Sequence, residues 1–269
     1  MRNGVADVRL ARAARMNALD EAMVHALVET GAELQNRKGL RAVVLSGEGR
    51  AFCSGLDTAR FKAQLHESGP EDRSGDSRGG DPAGGLIDTP RDAAGANLVQ
   101  RAVLVWRRLA VPVIAAIHGV AFGGGLQLAL GAALRFVAAD ARLSAMEIQW
   151  GIVPDMAGIP LLRTLLRDDL CRDLIYSGRI VSGEEAVRIG LASRLCADPL
   201  AEALDYAAEI ASKNPQAVRA AKRLLDPPAT ADPAMLLAES TEQKALLGSP
   251  NQIEAVRANL ERRPPLFRD

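Results

Sequence analysis

The stretch Val113-Ile-Ala-Ala-Ile-His-Gly-Val-Ala-Phe-Gly-Gly-Gly-Leu-Gln127 decides how the chain is read. Its first five residues are a short apolar run closed by polar and glycine residues, the pattern of a strand buried on both faces. Gly123, Gly124 and Gly125 then allow main-chain amides to approach a neighbour or a ligand where a β-carbon would obstruct. A helix starting near Gly124 would present unpaired N–H groups and a positive dipole end, which favour a developing anion. Two rival readings fail on residues. A dinucleotide turn read from Gly123 and Gly125 needs Gly or Ala where Leu128 stands, and a Walker loop needs a Gly-Lys-Ser/Thr that the stretch lacks. An oxyanion site and a tight helix–strand contact both stay open at this point.

Working outward, residues 42–45 (Ala-Val-Val-Leu) form a second apolar run of the same kind. Residues 20–36 have a helical pattern, with Asp20 placed to cap and Met23, Leu27 and Leu34 on one side. Residues 91–109 are expected to be helical too, with Leu98, Val105 and Leu109 as the apolar stripe. Strands and helices alternate, so the chain is read as α/β. Residues 68–85, rich in Gly and Pro, bury almost nothing and are expected to be a surface loop, either a tolerated insertion or a flap beside a cleft. After about residue 200 the pattern becomes helical. Four blocks, at 200–212, 215–225, 235–248 and 251–261, are separated by Pro or Gly, with Pro227-Pro228 and Pro264-Pro265 as stops.

Charge narrows the function classes. The 269 residues carry 33 Lys+Arg and 33 Asp+Glu, and only 3% are aromatic. A net charge of zero argues against a nucleic-acid binder, and scarce aromatics argue against a single-strand stacking platform. A small anionic ligand is still permitted, since a few local arginines suffice. The cysteines at 53, 171 and 196 are widely spaced, and with three histidines they make neither a disulfide framework nor a zinc pattern. Residues 109–134 carry no formal charge and are long enough to span a bilayer, but Pro112, Gly119 and the glycine triplet cut the stretch into pieces. With no apolar leader in residues 1–10, the chain is expected to be cytoplasmic and without a membrane anchor.

Two further segments could carry chemistry. Arg50-Ala-Phe-Cys-Ser-Gly-Leu-Asp57 follows the run at 42–45 as another strand-to-turn transition. Cys53 has no assignable base and Ser54 lacks a nucleophile-elbow context, so the backbone is the better use of this turn. In Ala145-Met-Glu-Ile-Gln-Trp-Gly-Ile-Val-Pro-Asp-Met-Ala-Gly158, Glu147 and Asp155 sit among apolar residues. An unpaired carboxylate is costly to bury, and burial raises its pKa toward neutrality, where it can carry protons. The plain alternative is an ion pair with Arg142 or Arg163.

Together these segments resemble the enoyl-CoA hydratase/isomerase (crotonase) superfamily, from about residue 5 to residue 267. Leu10-Ala-Arg-Ala-Ala-Arg-Met-Asn-Ala-Leu19 is similar to the family's L-N-R-P-x-x-x-N-A-L segment along the CoA moiety, with Ala13 in place of Pro. Phe52-Cys-Ser-Gly-Leu-Asp57 matches F-x-x-G-x-D, and residues 119–127 match G-x-x-x-G-G-G-x-E/D. Arg262-Arg-Pro-Pro-Leu-Phe267 resembles the family's basic closing segment.

The resemblance implies a crotonase-like spiral of ββα units over residues 1–199 and a helical region, 200–269, that associates into a homotrimer or homohexamer. It implies an acyl-CoA thioester as substrate and no separate cofactor, CoA being part of the substrate. The thioester oxygen would lie between the amides of Leu56 and Gly124, with Arg12, Arg15, Met16, Ala18, Ser54, Asp57, Gly123 and Gln127 in contact with substrate. Arg262 and Arg263 would join Arg12 and Arg15 in meeting phosphates. Hydratases of the family use two glutamates to activate water. The first falls at Gln127, which cannot accept a proton at neutral pH, and the second at Glu147. The spacing of Glu147 and Asp155 equals that of two catalytic acids in the family's dienoyl-CoA isomerases, while simpler enoyl-CoA isomerases use one carboxylate at the position of Glu147. The expectation is an acyl-CoA double-bond isomerase with Glu147 and Asp155 as the proton-shuttling pair. A hydratase is the alternative, and a non-catalytic acyl-CoA-binding protein is the reading from another class.

Overall fold

Both apolar runs become neighbouring strands of one parallel sheet. The computed structural model describes residues 1–57, 84–226 and 232–267. Its larger sheet has the order β1 (Val5–Leu10), β2 (Ala42–Gly47), β3 (Val113–Ile117), β5 (Leu134–Ala138), β8 (Arg194–Cys196), all parallel. A smaller sheet joins β4 (Val120–Phe122), β6 (Arg142–Ser144) and β7 (Val181–Ser182). The chain adds one strand to each sheet per turn: β3 leads to β4, and β5 to β6. After β2, Cys53 bridges Ala121 in the same sense. The turn β3–β4–α4 (Gly124–Leu130) is one complete ββα unit of the expected spiral.

The alternation along the strands explains why their sequences look uniformly apolar. Val43, Leu45, Ala115 and Ile117 face the main core with α1 (Glu21–Gln35) and α3 (Leu98–Arg108). Ala42, Val44, Ile114 and Ala116 face the opposite side, where Ala203, Ala207 and Ala211 of α8 (Pro199–Ser212) cover them. Small residues at a spacing of four let that helix lie close on the sheet, so the first of the late helices is core to its own chain.

α1 is capped as expected, the Asp20 side chain accepting from Met23 N. The helix expected over 91–109 starts later. It runs from Leu98 with Asn97 as cap, in a reciprocal capping box with Gln100, and residues 91–96 form turns. The apolar stripe does not extend N-terminal to Leu98, so no buried face drives those residues into a helix.

The remaining helices are α2 (Gly84–Ile87), α5 (Gly158–Arg163), α6 (Asp168–Ser177), α7 (Gly183–Arg188), α9 (Pro215–Leu225), α10 (Pro233–Leu246) and α11 (Pro250–Glu261). Proline opens α8, α9, α10 and α11 at the first turn, where its missing N–H costs nothing. The surface loop expected at 68–85 lies outside the described residues up to 83, as does the stop at 227–228; Gly84 and Gly85 begin α2. The uncharged part of residues 109–134 resolves into β3, β4 and α4, and among the described residues no helix is long and apolar enough to cross a membrane.

Candidate active site

The two glycine-containing turns are locked together by main-chain hydrogen bonds. Cys53 N donates to Val120 O at 3.0 Å, Phe122 N to Cys53 O at 3.1 Å, and Gly123 N to Ser144 O at 2.8 Å. Gly125 is the contact point: a Cβ there would stand 2.3 Å from the Cys53 carbonyl oxygen, so only glycine permits this approach. Gly55, at φ 87°, backs onto the same place, 2.5 Å from Phe122 O by its missing Cβ. The tight helix–strand contact and the candidate oxyanion site are thus one feature.

Leu56 pairs with Leu19 as a parallel bridge, through Leu19 N to Gly55 O (2.8 Å) and Asp57 N to Leu19 O (3.0 Å). In such a bridge the N–H of Leu56 itself points away from Leu19. Gly124 is the first residue of α4, where an N–H has no intrahelical acceptor. Leu56 and Gly124 line one cavity of about 80 Å³, with Gln127, Glu147, Asp155 and Gln243 as its polar wall and Leu86, Ile87, Val99, Met156 and Leu247 among its apolar wall. The structure therefore brings both expected amides, both expected acids and Gln127 to a single pocket.

Glu147 sits in a 3-10 turn, Met146–Trp150, and is only 6% exposed. Its partner is an amide, not the guanidinium of Arg142 or Arg163: Gln127 Nε2 donates to Glu147 Oε1 at 2.6 Å. Glu147 Oε2 is buried without a hydrogen-bond partner among the described residues. The carboxylate stands beside the glycine turn, Oε1 lying 3.4 Å from where a Gly123 Cβ would be. Burial pushes the Glu147 carboxyl up to about 7; its own backbone and Gln127 oppose the rise, and the Asp155 charge adds to it. Burial likewise pushes Asp155 up to about 7, against hydrogen bonds from its own backbone and Gln243.

The orientation of Gln127 is fixed by the chain around it. Its Oε1 accepts from Met156 N at 2.8 Å and Gly158 N at 3.0 Å, so its NH₂ must face Glu147. Gln243 is held the same way, its Oε1 accepting from Val153 N at 3.0 Å, which aims its NH₂ at Asp155.

The residues expected along the CoA moiety at 12–18, with Ser54 and Asp57, do not line this cavity but form a hydrogen-bonded cluster next in sequence to Leu19 and Leu56, which do. Met16 and Asn17 have positive φ (48° and 55°), and the buried Asn17 side chain ties the segment to Glu48 O and Ala51 O at 2.9 and 2.8 Å. Met16 O accepts from Ser54 N at 3.0 Å, and Ala18 O from Arg12 Nη1 at 2.5 Å. Both arginines are already paired: Arg12 with Asp20 (3.0 Å) and Asp57 (3.2 Å), Arg15 with Asp57 (2.8 Å). Arg262 and Arg263 line a different surface cleft, where Arg263 is paired with Glu254 and Glu261 at 2.6 Å each. Burial pushes the Cys53 thiol up to about 12, which keeps it inert.

Gln243, Leu247 and the nearby Glu239 are residues that sequence reasoning missed. They come from α10 and its end, and their signal was an inversion: Leu236, Glu239, Ser240 and Gln243 are buried, whereas Leu237 is 54% exposed. Polar residues at i+3, i+4 and i+7 of an inward stripe that begins at Leu236 mark a helix that packs on something polar.

A sequence profile described as enoyl-CoA hydratase/isomerase matches residues 5–265. The chain is 32% identical over 263 residues to the probable enoyl-CoA hydratase EchA6 of Mycobacterium tuberculosis, covering 98% of this chain and 95% of that protein. It is also 32% identical over 222 residues to the mitochondrial Delta(3,5)-Delta(2,4)-dienoyl-CoA isomerase of mouse, covering 81% of this chain and 64% of that protein. Among solved structures, an enoyl-CoA hydratase/isomerase from Pseudoalteromonas atlantica superposes with a TM-score of 0.82 at 26% identity, over 100% of this chain and 98% of that one.

Proposed function

The chain belongs to the enoyl-CoA hydratase/isomerase family, and from that premise we propose that it is an acyl-CoA double-bond isomerase in which Glu147 and Asp155 move the proton. The observation that carries this reading is the arrangement of Gln127. Where a water-activating acid would be needed, the pocket has an amide whose oxygen is occupied by two main-chain N–H groups and whose NH₂ is spent on Glu147. It cannot take a proton from water at neutral pH, and its oxygen has no free acceptor site for one.

The steps follow from the geometry. A thioester carbonyl oxygen between the Leu56 and Gly124 amides gains two hydrogen bonds as negative charge develops on it, and one such donor is worth roughly 3–4 kcal/mol in the transition state. Glu147, beside the glycine turn, takes the proton from the carbon next to that carbonyl through its unpartnered Oε2. The electron pair passes through the conjugated system as an extended enolate. A proton delivered farther along the acyl chain completes the shift, and Asp155, on the cavity wall beside Gln243, is the donor. Holding both carboxyls near neutrality lets one be ionised while the other is protonated.

Hydration is the second reading, favoured by the names of relatives such as the mycobacterial protein. Mass spectrometry separates the two. Incubation with 3-enoyl- and 3,5-dienoyl-CoA esters should give a conjugated product of unchanged mass, whereas a gain of one water from a 2-enoyl-CoA would sink the isomerase reading. Glu147→Gln should lower kcat by about 10²–10⁴-fold, the usual worth of a positioned base. Loss of solvent-deuterium exchange into bound substrate in this variant should accompany it; a wild-type protein that exchanges nothing is a binding protein instead. A trimer or hexamer in solution forms part of the same proposal, and light scattering on the purified protein tests it.

A further inference from the structure

Asp155 is followed by four residues whose main-chain N–H groups are taken alternately by two buried side chains. Gln127 Oε1 accepts from Met156 and Gly158, while the Glu239 carboxylate accepts from Ala157 (3.0 Å) and Ile159 (3.1 Å). The turn needs such fixing, because Ala157 sits at φ 65°, a conformation that a non-glycine residue adopts only at a cost. Glu239 is 4% exposed and is not part of the cavity wall. A third donor, Gln100 Nε2, reaches it at 3.2 Å. The helix that carries it is docked at the start of α3, through Gln100 Nε2 to Leu236 O (2.7 Å) and Asn97 Nδ2 to Ser240 Oγ (3.0 Å).

We propose that Glu239 is a positioning residue for Asp155, clamping the turn that follows it by alternate amides. The proposal rests on the reading of Asp155 as a proton carrier. The two carboxyl oxygens each take one amide, Oε2 that of Ala157 and Oε1 that of Ile159, so the clamp needs two acceptor atoms where a glutamine offers one. Burial raises Glu239 to about 8 and the Asp155 charge adds to the rise, against hydrogen bonds from Ile159, Ala157 and Gln100.

The test compares Asp155→Asn and Glu239→Gln in the full chain, with a 3,5-dienoyl-CoA as probe. Asp155→Asn should abolish isomerisation. Glu239→Gln should lower kcat by about tenfold with KM almost unchanged, the pattern of an effect on chemistry rather than binding. Should Glu239→Gln fail to fold, Gln100→Ala serves: removing the third donor to the Glu239 carboxyl should lower kcat by less, again with KM almost unchanged. A lowered Tm with kcat unchanged would mean that Glu239 only holds the fold, and the inference would be overturned. Wild-type turnover in Asp155→Asn would overturn the reading of Asp155 itself, so the two failures are distinct.

Discussion

The two walls of the pocket are made of different material. On one side, Leu56 and Gly124 contribute main-chain N–H groups, and the turns behind them fit because glycine lets Gly125 meet the Cys53 carbonyl. On the other, Glu147, Asp155, Gln127 and Gln243 contribute side chains, with the buried Glu239 behind them, that hold one another and the backbone between them. In the proposed reaction the first wall would meet only the carbonyl oxygen, and the second would set which proton goes where. The lesson is that, under this reading, a shared first step and a variable second step can be carried by physically separate parts of one cavity.

The sharpest way to break that division is at Gly125. Gly125→Val would drive methyl groups into the Cys53 carbonyl oxygen and separate the two turns. Activity should be lost, with a fall of at least about 10²–10³ in kcat, the size of losing one oxyanion donor, together with a lower Tm. Retained turnover would show that the contact does not set the spacing of the amides.

On the carboxylate side, Gln127→Glu should have a smaller and pH-dependent effect. It places a second carboxyl 2.6 Å from Glu147, where both cannot be ionised. The acid limb of kcat/KM, expected near 7 in the wild type because Glu147 must be ionised to act, should move to higher pH. Turnover at neutral pH should fall by about tenfold. If this variant instead gained the ability to add water to a 2-enoyl-CoA, Gln127 would be confirmed as the residue that separates the two chemistries.

A third experiment reads stability. Asp155 has a reference pKa of 3.8 and is raised to about 7 in the fold. Since the native state binds its proton more tightly than the unfolded chain, this group destabilises the fold progressively between about pH 4 and pH 7, and fully above that. Asp155→Asn keeps an acceptor for Gln243 and removes the charge. Its Tm should match the wild type near pH 4 and exceed it at pH 8, by a free energy on the order of 2 kcal/mol. Equal melting at both pH values would show that the charge on Asp155 is not held at a cost.

The same division explains what the sequence let one read. The strands at 42–47 and 113–117 are legible because burial on both faces demands unbroken apolar runs, and the glycine triplet is legible because Gly125 has no room for a Cβ and Gly123 sits at positive φ. Glu147 and Asp155 stand out as acids in apolar surroundings. Glu239 and Gln243 did not, since they lie some 80 residues further on in a helix whose outward face carries Leu237 and whose inward face carries the polar residues. Their partners are main-chain N–H groups of residues 153, 157 and 159, and no side-chain pattern announces such bonds. The late start of α3 is legible in principle, since Asn97 and Gln100 form a capping box.

The bridge between Leu19 and Leu56 has an evolutionary consequence. The donor role proposed for Leu56 rests on its backbone, so a coding change there would leave the N–H in place unless it introduced proline. Under that reading a lineage could change side chains around this cavity, one at a time, and still inherit the proposed oxyanion donors.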